Sequence, residues 1–251
     1  MSEGELAGQV ALVTGGVRRI GRAVAMALAR QGAAIAVNAK SSREEAQDTV
    51  REITAMGGTA RVFMADVTEE SAVARMVSEI AASLGGVDIL VNNAAIRRDS
   101  AFVDMSFAEW RDIMAVVLDG AFLASRAVIP GMLAKGHGTI INIGGVTAHT
   151  GAAGRAHVSA AKSGLVGLTK ALAVEFGPHG ITVNCVVPGR IGGPRSAGSG
   201  KGGAIPGGGH PLVGREGIPE DVAAVVKLLC SAGGRYITGQ TIHVSGGIYL
   251  P

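Results

Sequence analysis

The chain has 251 residues, a formal net charge of +3, 47% hydrophobic residues and only 3% aromatic ones. That length suits one domain with a sizeable core, and no unbroken apolar run approaches the roughly 20 residues of a membrane span. The charge is too small and dispersed, and aromatics for base stacking too scarce, to point to nucleic acid. The opening MSEGELAGQVALVTGG has no basic flank before its apolar stretch and no cleavage-site pattern. It reads as a core strand, and the expected address is cytoplasmic, with no membrane partner. Cys185 and Cys230 lie in apolar runs without a CxxC or a histidine at ligand spacing, which predicts buried thiols and no metal site.

In chain order, short β-rich runs fall at residues 10–13, 34–38, 61–66, 88–93, 139–143, 182–187 and 241–245, each bounded by glycine, proline or polar residues. Helical spacing fills the gaps, as at 20–31 before Gly32 and 42–56 before Gly57. Ser42 to Glu45 and Ser106 to Glu109 have the form of capping boxes. Two longer helical segments, 107–134 and 152–176, have apolar residues enough for both a core and a partner surface. Strands and helices alternating at roughly 30 residues per unit imply right-handed crossovers and a doubly wound α/β fold, a parallel sheet with helices on both faces. In such a fold ligands sit beyond the carboxyl ends of the strands.

The first such end is Val13 to Gly21, a glycine-bearing turn from strand into helix. Unpaired N–H groups and the helix dipole favour a pyrophosphate there.

From this turn onward the chain resembles the short-chain dehydrogenase/reductases over almost its whole length, closest in style to the 3-oxoacyl-acyl-carrier-protein reductases. The family's TGxxxGxG is similar to Thr14–Gly21, with Gly15 and Gly21 kept, Val17, Arg18 and Ile20 between them, and Arg19 in place of the middle glycine. Asp66 and Val67 match the pair that contacts adenine, and Asn92 to Ala95 match NNAG with its last residue changed. The resemblance therefore places Asn93, Ala94 and Ala95 at the cofactor, with Pro188, Gly189 and Ile191 after the sixth strand. Glu216 to Asp221, Tyr236 to Gln240, and Gly246-Gly247 complete the carboxyl-terminal signature. The resemblance implies a single Rossmann-like domain over 1–251 with a seven-stranded parallel sheet.

Charge argues which dinucleotide is bound. An acidic residue at the end of the second strand would pair with a free ribose 2′-hydroxyl and repel a 2′-phosphate. Here that stretch is Asn38, Ala39, Lys40, Ser41 and Ser42, with Arg18 as a second cation. It favours NADP(H) over NAD(H).

In the family a tyrosine protonates the substrate carbonyl, a lysine four residues later holds the nicotinamide ribose, a serine binds the carbonyl oxygen and an asparagine organises a water relay. Lys162 is retained, but Val158, Gly145 and Val117 occupy the tyrosine, serine and asparagine slots. No shift of register restores the motif, because the only tyrosines are Tyr236 and Tyr249 and neither precedes a lysine by four. His157 is the candidate substitute acid, although one step along a helix turns it about 100° from the tyrosine slot. His149 is a second, less supported one.

Arg97, Arg98, Arg155, Arg190 and Arg195 are expected around the pocket mouth, a field that suits an anionic small-molecule substrate. Nine of the nineteen residues from Gly192 to His210 are glycine, the composition of a mobile lid. A homodimer or homotetramer is expected. Three functions stay open: an NADP(H)-dependent oxidoreductase with an atypical proton route, a cofactor-binding pseudoenzyme or partner subunit, and a non-redox enzyme on the same fold.

Overall fold

A computed structural model of the chain describes residues 4–193, 205–206 and 209–251. Seven strands, β1 Val10–Val13, β2 Ala34–Ala39, β3 Ala60–Met64, β4 Ile89–Asn92, β5 Gly138–Ile143, β6 Ile181–Pro188 and β7 Thr241–Val244, form one sheet in the order β3-β2-β1-β4-β5-β6-β7. Every pairing is parallel. The order reverses between β1 and β4, so the crevice at their carboxyl ends is the place such folds use for ligands.

Strand alternation decides which helix goes where. In β1, Ala11 and Val13 face a cluster built with helices α1 Arg19–Ala29, α2 Arg43–Ala55 and α8 Pro219–Cys230, while Val10 and Leu12 face one built with α3 Glu70–Leu84, α5 Gly120–Lys135 and α7 Ala156–Phe176. Two apolar layers therefore sandwich the sheet, as the alternation of elements implied. β1, β4 and β5 are buried throughout, the pattern of strands covered on both faces.

The expected helix over 107–134 is α4 Phe107–Met114, a π-helical turn Ala115–Asp119, and α5. Within Phe107–Lys135 an 18-residue window reaches a mean hydropathy of 1.7, long and apolar enough for a membrane span. Runs of apolar residues do not reveal this, because single polar residues interrupt them; in the fold the stretch packs on α3, α7, β4 and β5. The segment expected as a helix over 152–176 is α7, which starts only at Ala156, and a short α6 Thr147–Thr150 precedes it. Of the two capping boxes, Ser106 accepts from the Glu109 N–H at 3.1 Å, but Ser42 makes no cap bond and its hydroxyl serves elsewhere.

Candidate functional site

A groove of about 730 Å³ runs along the carboxyl ends of β1, β2, β4 and β5, from Ser42 at one end to Lys162 at the other. Its floor is the turn between β1 and α1. Gly15 has φ +60°, and a Cβ there would lie 3.1 Å from Ala94 Cα, so glycine is favoured on both counts. Thr14 Oγ1 accepts from the N–H groups of Asn93 (3.0 Å) and Ala94 (3.1 Å), and Asn93 Nδ2 donates to the carbonyls of Thr14 (3.0 Å) and Gly15 (2.9 Å). Asn93 thus fixes the turn through its side chain. A side chain at Gly21 would collide with the Gly15 carbonyl and Asn93, which lets α1 start close against the turn.

Arg19 stands where the resemblance has glycine and keeps that residue's left-handed backbone, φ 49°. Its guanidinium does not fold into the turn: Nη1 donates to Gly193 O (2.8 Å) and Nη2 to Ile191 O (3.0 Å), across to the chain beyond β6.

At the β2 end, Arg18 Nη2 donates to Ser42 Oγ at 2.9 Å and lies 3.4 Å from Glu45 Oε2, bringing a cation and a hydroxyl together. Lys40 Nζ is instead 2.6 Å from Asp66 Oδ2. Burial pushes the Asp66 carboxyl up, but hydrogen bonds from Lys40 and Thr68 outweigh it and leave the group below its ordinary range. The Lys40 ammonium is held above its ordinary value by the same hydrogen bond. Asn38 lines the groove, yet its Nδ2 is spent on Phe63 O (3.2 Å) and Ala65 O (3.0 Å), and its Oδ1 faces the Gly15 N–H at 3.4 Å. Its amide ties β2 to the turn after β1 and to the end of β3, while the residue itself stays on the groove wall.

At the other end Lys162 is 5% exposed, and Nζ donates to the Ile143 carbonyl at 2.5 Å. Burial first, and the Arg97 cation second, push its pKa down to about 7, with Cys185 opposing. Val117 and Val158, buried at 2% and 4%, join Ile113, Ala121, Ala161 and Leu165 in a dry cluster against Ile96. Both valines therefore make hydrocarbon contacts only within that cluster. At Gly145 a Cβ would meet only Lys162 Cγ, at 3.9 Å, so there is open room beside the lysine.

His157 does not line the groove. Its ring is fully buried and turned to α4, with Nε2 3.4 Å from Glu109 Oε1, so helix geometry denies it the part of substitute acid. His149, on α6, is set edge-on to His243 with ring centroids 4.5 Å apart, and burial lowers the pKa of both. Arg155 is no pocket-mouth cation either, since it is buried and its Nε is 2.7 Å from Asp99 Oδ1. Arg97 and Arg98 both line the groove, and Arg98 pairs there with Asp112 at 3.1 Å. Arg195 and most of the expected lid over 192–210 lie outside the described residues.

Of the positions expected at the dinucleotide, all line the groove except Gly21, Pro188, Gly189 and Ile191. Pro188 closes β6 against Val244, the Gly189 N–H donates to Val244 O at 3.0 Å, and Ile191 meets Arg19. The sequence reading missed a buried polar chain behind the site: Asn92 Nδ2 donates to Asn142 Oδ1 (2.9 Å), Asn142 Nδ2 to Thr169 Oγ1 (2.9 Å), and Thr169 Oγ1 to Leu165 O (2.7 Å). It ties β4 and β5 to α7, the helix that carries Lys162. Polar letters inside strands buried on both faces were its one available signal.

Comparison with known proteins agrees with this geometry. A family profile described as enoyl-(acyl carrier protein) reductase matches residues 15–249. The 3-oxoacyl-acyl-carrier-protein reductase FabG of Vibrio cholerae is 39% identical over 245 residues, covering 98% of this chain and 99% of that protein. The enzyme of the same name from Escherichia coli is 39% identical over 246 residues, covering 97% and 98%. A crystal structure of a dehydrogenase/reductase from Sinorhizobium meliloti superposes with a TM-score of 0.87 at 35% identity, covering 98% of this chain and 96% of the other.

Proposed function

The chain belongs to the short-chain dehydrogenase/reductase family, and on that premise we propose that it binds NADP(H) and exchanges hydride with a carbonyl or alcohol substrate by a proton route lacking the family's tyrosine, serine and asparagine. The observation that carries the reading is the groove itself, which keeps the pyrophosphate turn at one end and Lys162 at the other around a floor braced by Thr14 and Asn93. Its residues fit the dinucleotide: a glycine turn that no side chain could share, the start of α1 for the pyrophosphate, Asp66 and Val67 beside the adenine site. Arg18 and Ser42 are joined where a 2′-phosphate would lie, which supports NADP(H). When bound, the nicotinamide supplies or accepts the hydride. The names of the relatives point to the ketone of a 3-oxoacyl thioester, and Arg97 in the groove suits an anionic carrier.

The protein is taken to act in the cytoplasm as a homodimer or homotetramer. Phe107, Phe122 and Val174, 77%, 48% and 80% exposed on the α4–α5 stretch and α7, support a partner surface there.

A second reading, a cofactor-binding pseudoenzyme, is favoured by the burial of Val117 and Val158 in one dry cluster, since neither can handle a proton. Fluorescence titration with NADPH and NADH, followed by NADPH oxidation in the presence of acetoacetyl-coenzyme A, separates the two. Wild type should bind NADPH more tightly than NADH and turn over slowly. The combined change Val117→Asn, Gly145→Ser, Val158→Tyr should then raise the rate by about 10²-fold or more. Wild type that binds neither dinucleotide sinks the proposal; binding without any turnover until the three changes are made leaves the pseudoenzyme.

A further inference from the structure

Lys162 is a buried amine at the working end of a groove from which every hydroxyl of the usual relay has gone. Its Nζ donates to one carbonyl, Ile143 O at 2.5 Å, and an ammonium has two further N–H bonds to place. One helical turn earlier, Val158 is packed into the apolar cluster and offers no proton. Beside the lysine stem, the missing side chain of Gly145 leaves a space bounded at 3.9 Å by Lys162 Cγ. Resting on the reductase reading above, we propose that Lys162 Nζ is itself the proton donor to the substrate carbonyl oxygen, which seats in the space beside Gly145.

The step balances without a further reagent. With hydride at the carbonyl carbon, which a bound nicotinamide dinucleotide would supply, the C=O π pair moves to oxygen, one Nζ–H bond breaks and an O–H bond forms, and the neutral amine regains its proton from water. In alcohol oxidation the same amine accepts the proton. The groups around the lysine set its acidity. Burial disfavours the ammonium, Arg97 from the chain after β4 repels it, and Cys185 on β6, its thiol pushed up to about 11 by burial, is neutral at pH 7. Asp112 on α4 pairs with Arg98, and His157 on α7 itself faces Glu109, so neither pair supplies Lys162 with a counter-charge. An acid that titrates near neutrality is the one best matched to general catalysis. Lysine at its usual 10.5 would hold its proton too firmly.

Two measurements test this. The first follows kcat/KM for NADPH-dependent reduction of acetoacetyl-coenzyme A from about pH 6 to about pH 9. Wild type should lose about tenfold per unit above pH 7, as the ammonium is consumed. Lys162→Arg, whose guanidinium keeps its proton, should abolish that limb and lower the rate about 10²-fold while NADPH affinity changes less than about threefold. A lysine that only holds ribose gives the opposite split, with NADPH affinity lost and the limb unmoved, and overturns the proposal. The second is an NMR titration of the Lys162 side chain, assigned by difference from Lys162→Arg or, should that variant not fold, from Lys162→Met, with NADP⁺ bound. A midpoint within about one unit of neutrality supports the donor role, and one near 10.5 overturns it. Wild type that binds NADPH but oxidises none overturns the reductase reading and the donor together. Turnover whose pH limb survives Lys162→Arg overturns the donor alone.

Discussion

The two ends of the groove were built from the same fold but by different means. At the glycine-turn end, polar side chains bond to backbone: Thr14 and Asn93 close four hydrogen bonds around the turn. At the other end, where the family resemblance places asparagine and tyrosine, Val117 and Val158 pack together in hydrocarbon. The contrast teaches that one groove can be braced by hydrogen bonds to backbone at one end and by apolar packing at the other. The turn is held by backbone carbonyls and close packing, so loss of one part disturbs the fold. Val117 and Val158 project from the π turn and from α7 into one apolar cluster, where they bury well.

The sharpest way to break the braced end is Gly21→Val. Its Cβ would collide with the Gly15 carbonyl, and the expected loss is about 3 kcal/mol in denaturant unfolding together with loss of NADPH binding. Retention of NADPH affinity would mean that the turn is not the cofactor floor.

At the apolar end the effects of single changes should diverge. Val117→Asn places an amide among Ile113, Ala121 and Leu165 and is expected to cost about 2 kcal/mol. Gly145→Ser enters open space and should stay within about 0.5 kcal/mol of wild type. Equal costs would show that the cluster is not as dry as the packing implies.

Lys162 gives the comparison a pH dependence in the protein without dinucleotide. Its folded pKa of about 7 lies below the 10.5 of an exposed lysine, so between these values the unfolded chain binds more protons. Wild-type stability should therefore rise with pH across that window relative to Lys162→Met, by at most about 1.4 kcal/mol per unit. A difference that stays flat would place the lysine in water.

The smallest effect belongs to the 2′-phosphate corner. Glu45 draws on Arg18 at 3.4 Å, and Glu45→Gln should tighten NADPH by about threefold at low salt and less as salt rises. No change in the NADPH-to-NADH ratio would remove Arg18 from the phosphate site.

Much of this was legible beforehand because it depends on local signals. Strand runs with turn residues at their ends located all seven strands, and the spacing of Gly15, Gly21, Asp66 and Asn93 located the groove. The absence of any tyrosine four residues before a lysine is a statement about letters alone, and it held without coordinates. Other features depended on partners distant in sequence. Arg155 reads as a surface cation until Asp99 is found 56 residues away, and Lys40 as a lone cation until Asp66 is found beside it. Ser42 has the letters of a cap, but Arg18 takes its hydroxyl.

The sequence by itself determined the alternating architecture, the place of the glycine turn and the absence of any tyrosine four residues before a lysine, because each is written in spacing or in the identity of a residue. The tertiary structure decided what surrounds the lysine. It brought Val117 and Val158 from separate helices into one cluster, turned His157 toward Glu109, and left Lys162 buried beside open space. Burial and charge proximity set the acidity of a side chain, and both are properties of the folded packing that no run of letters contains.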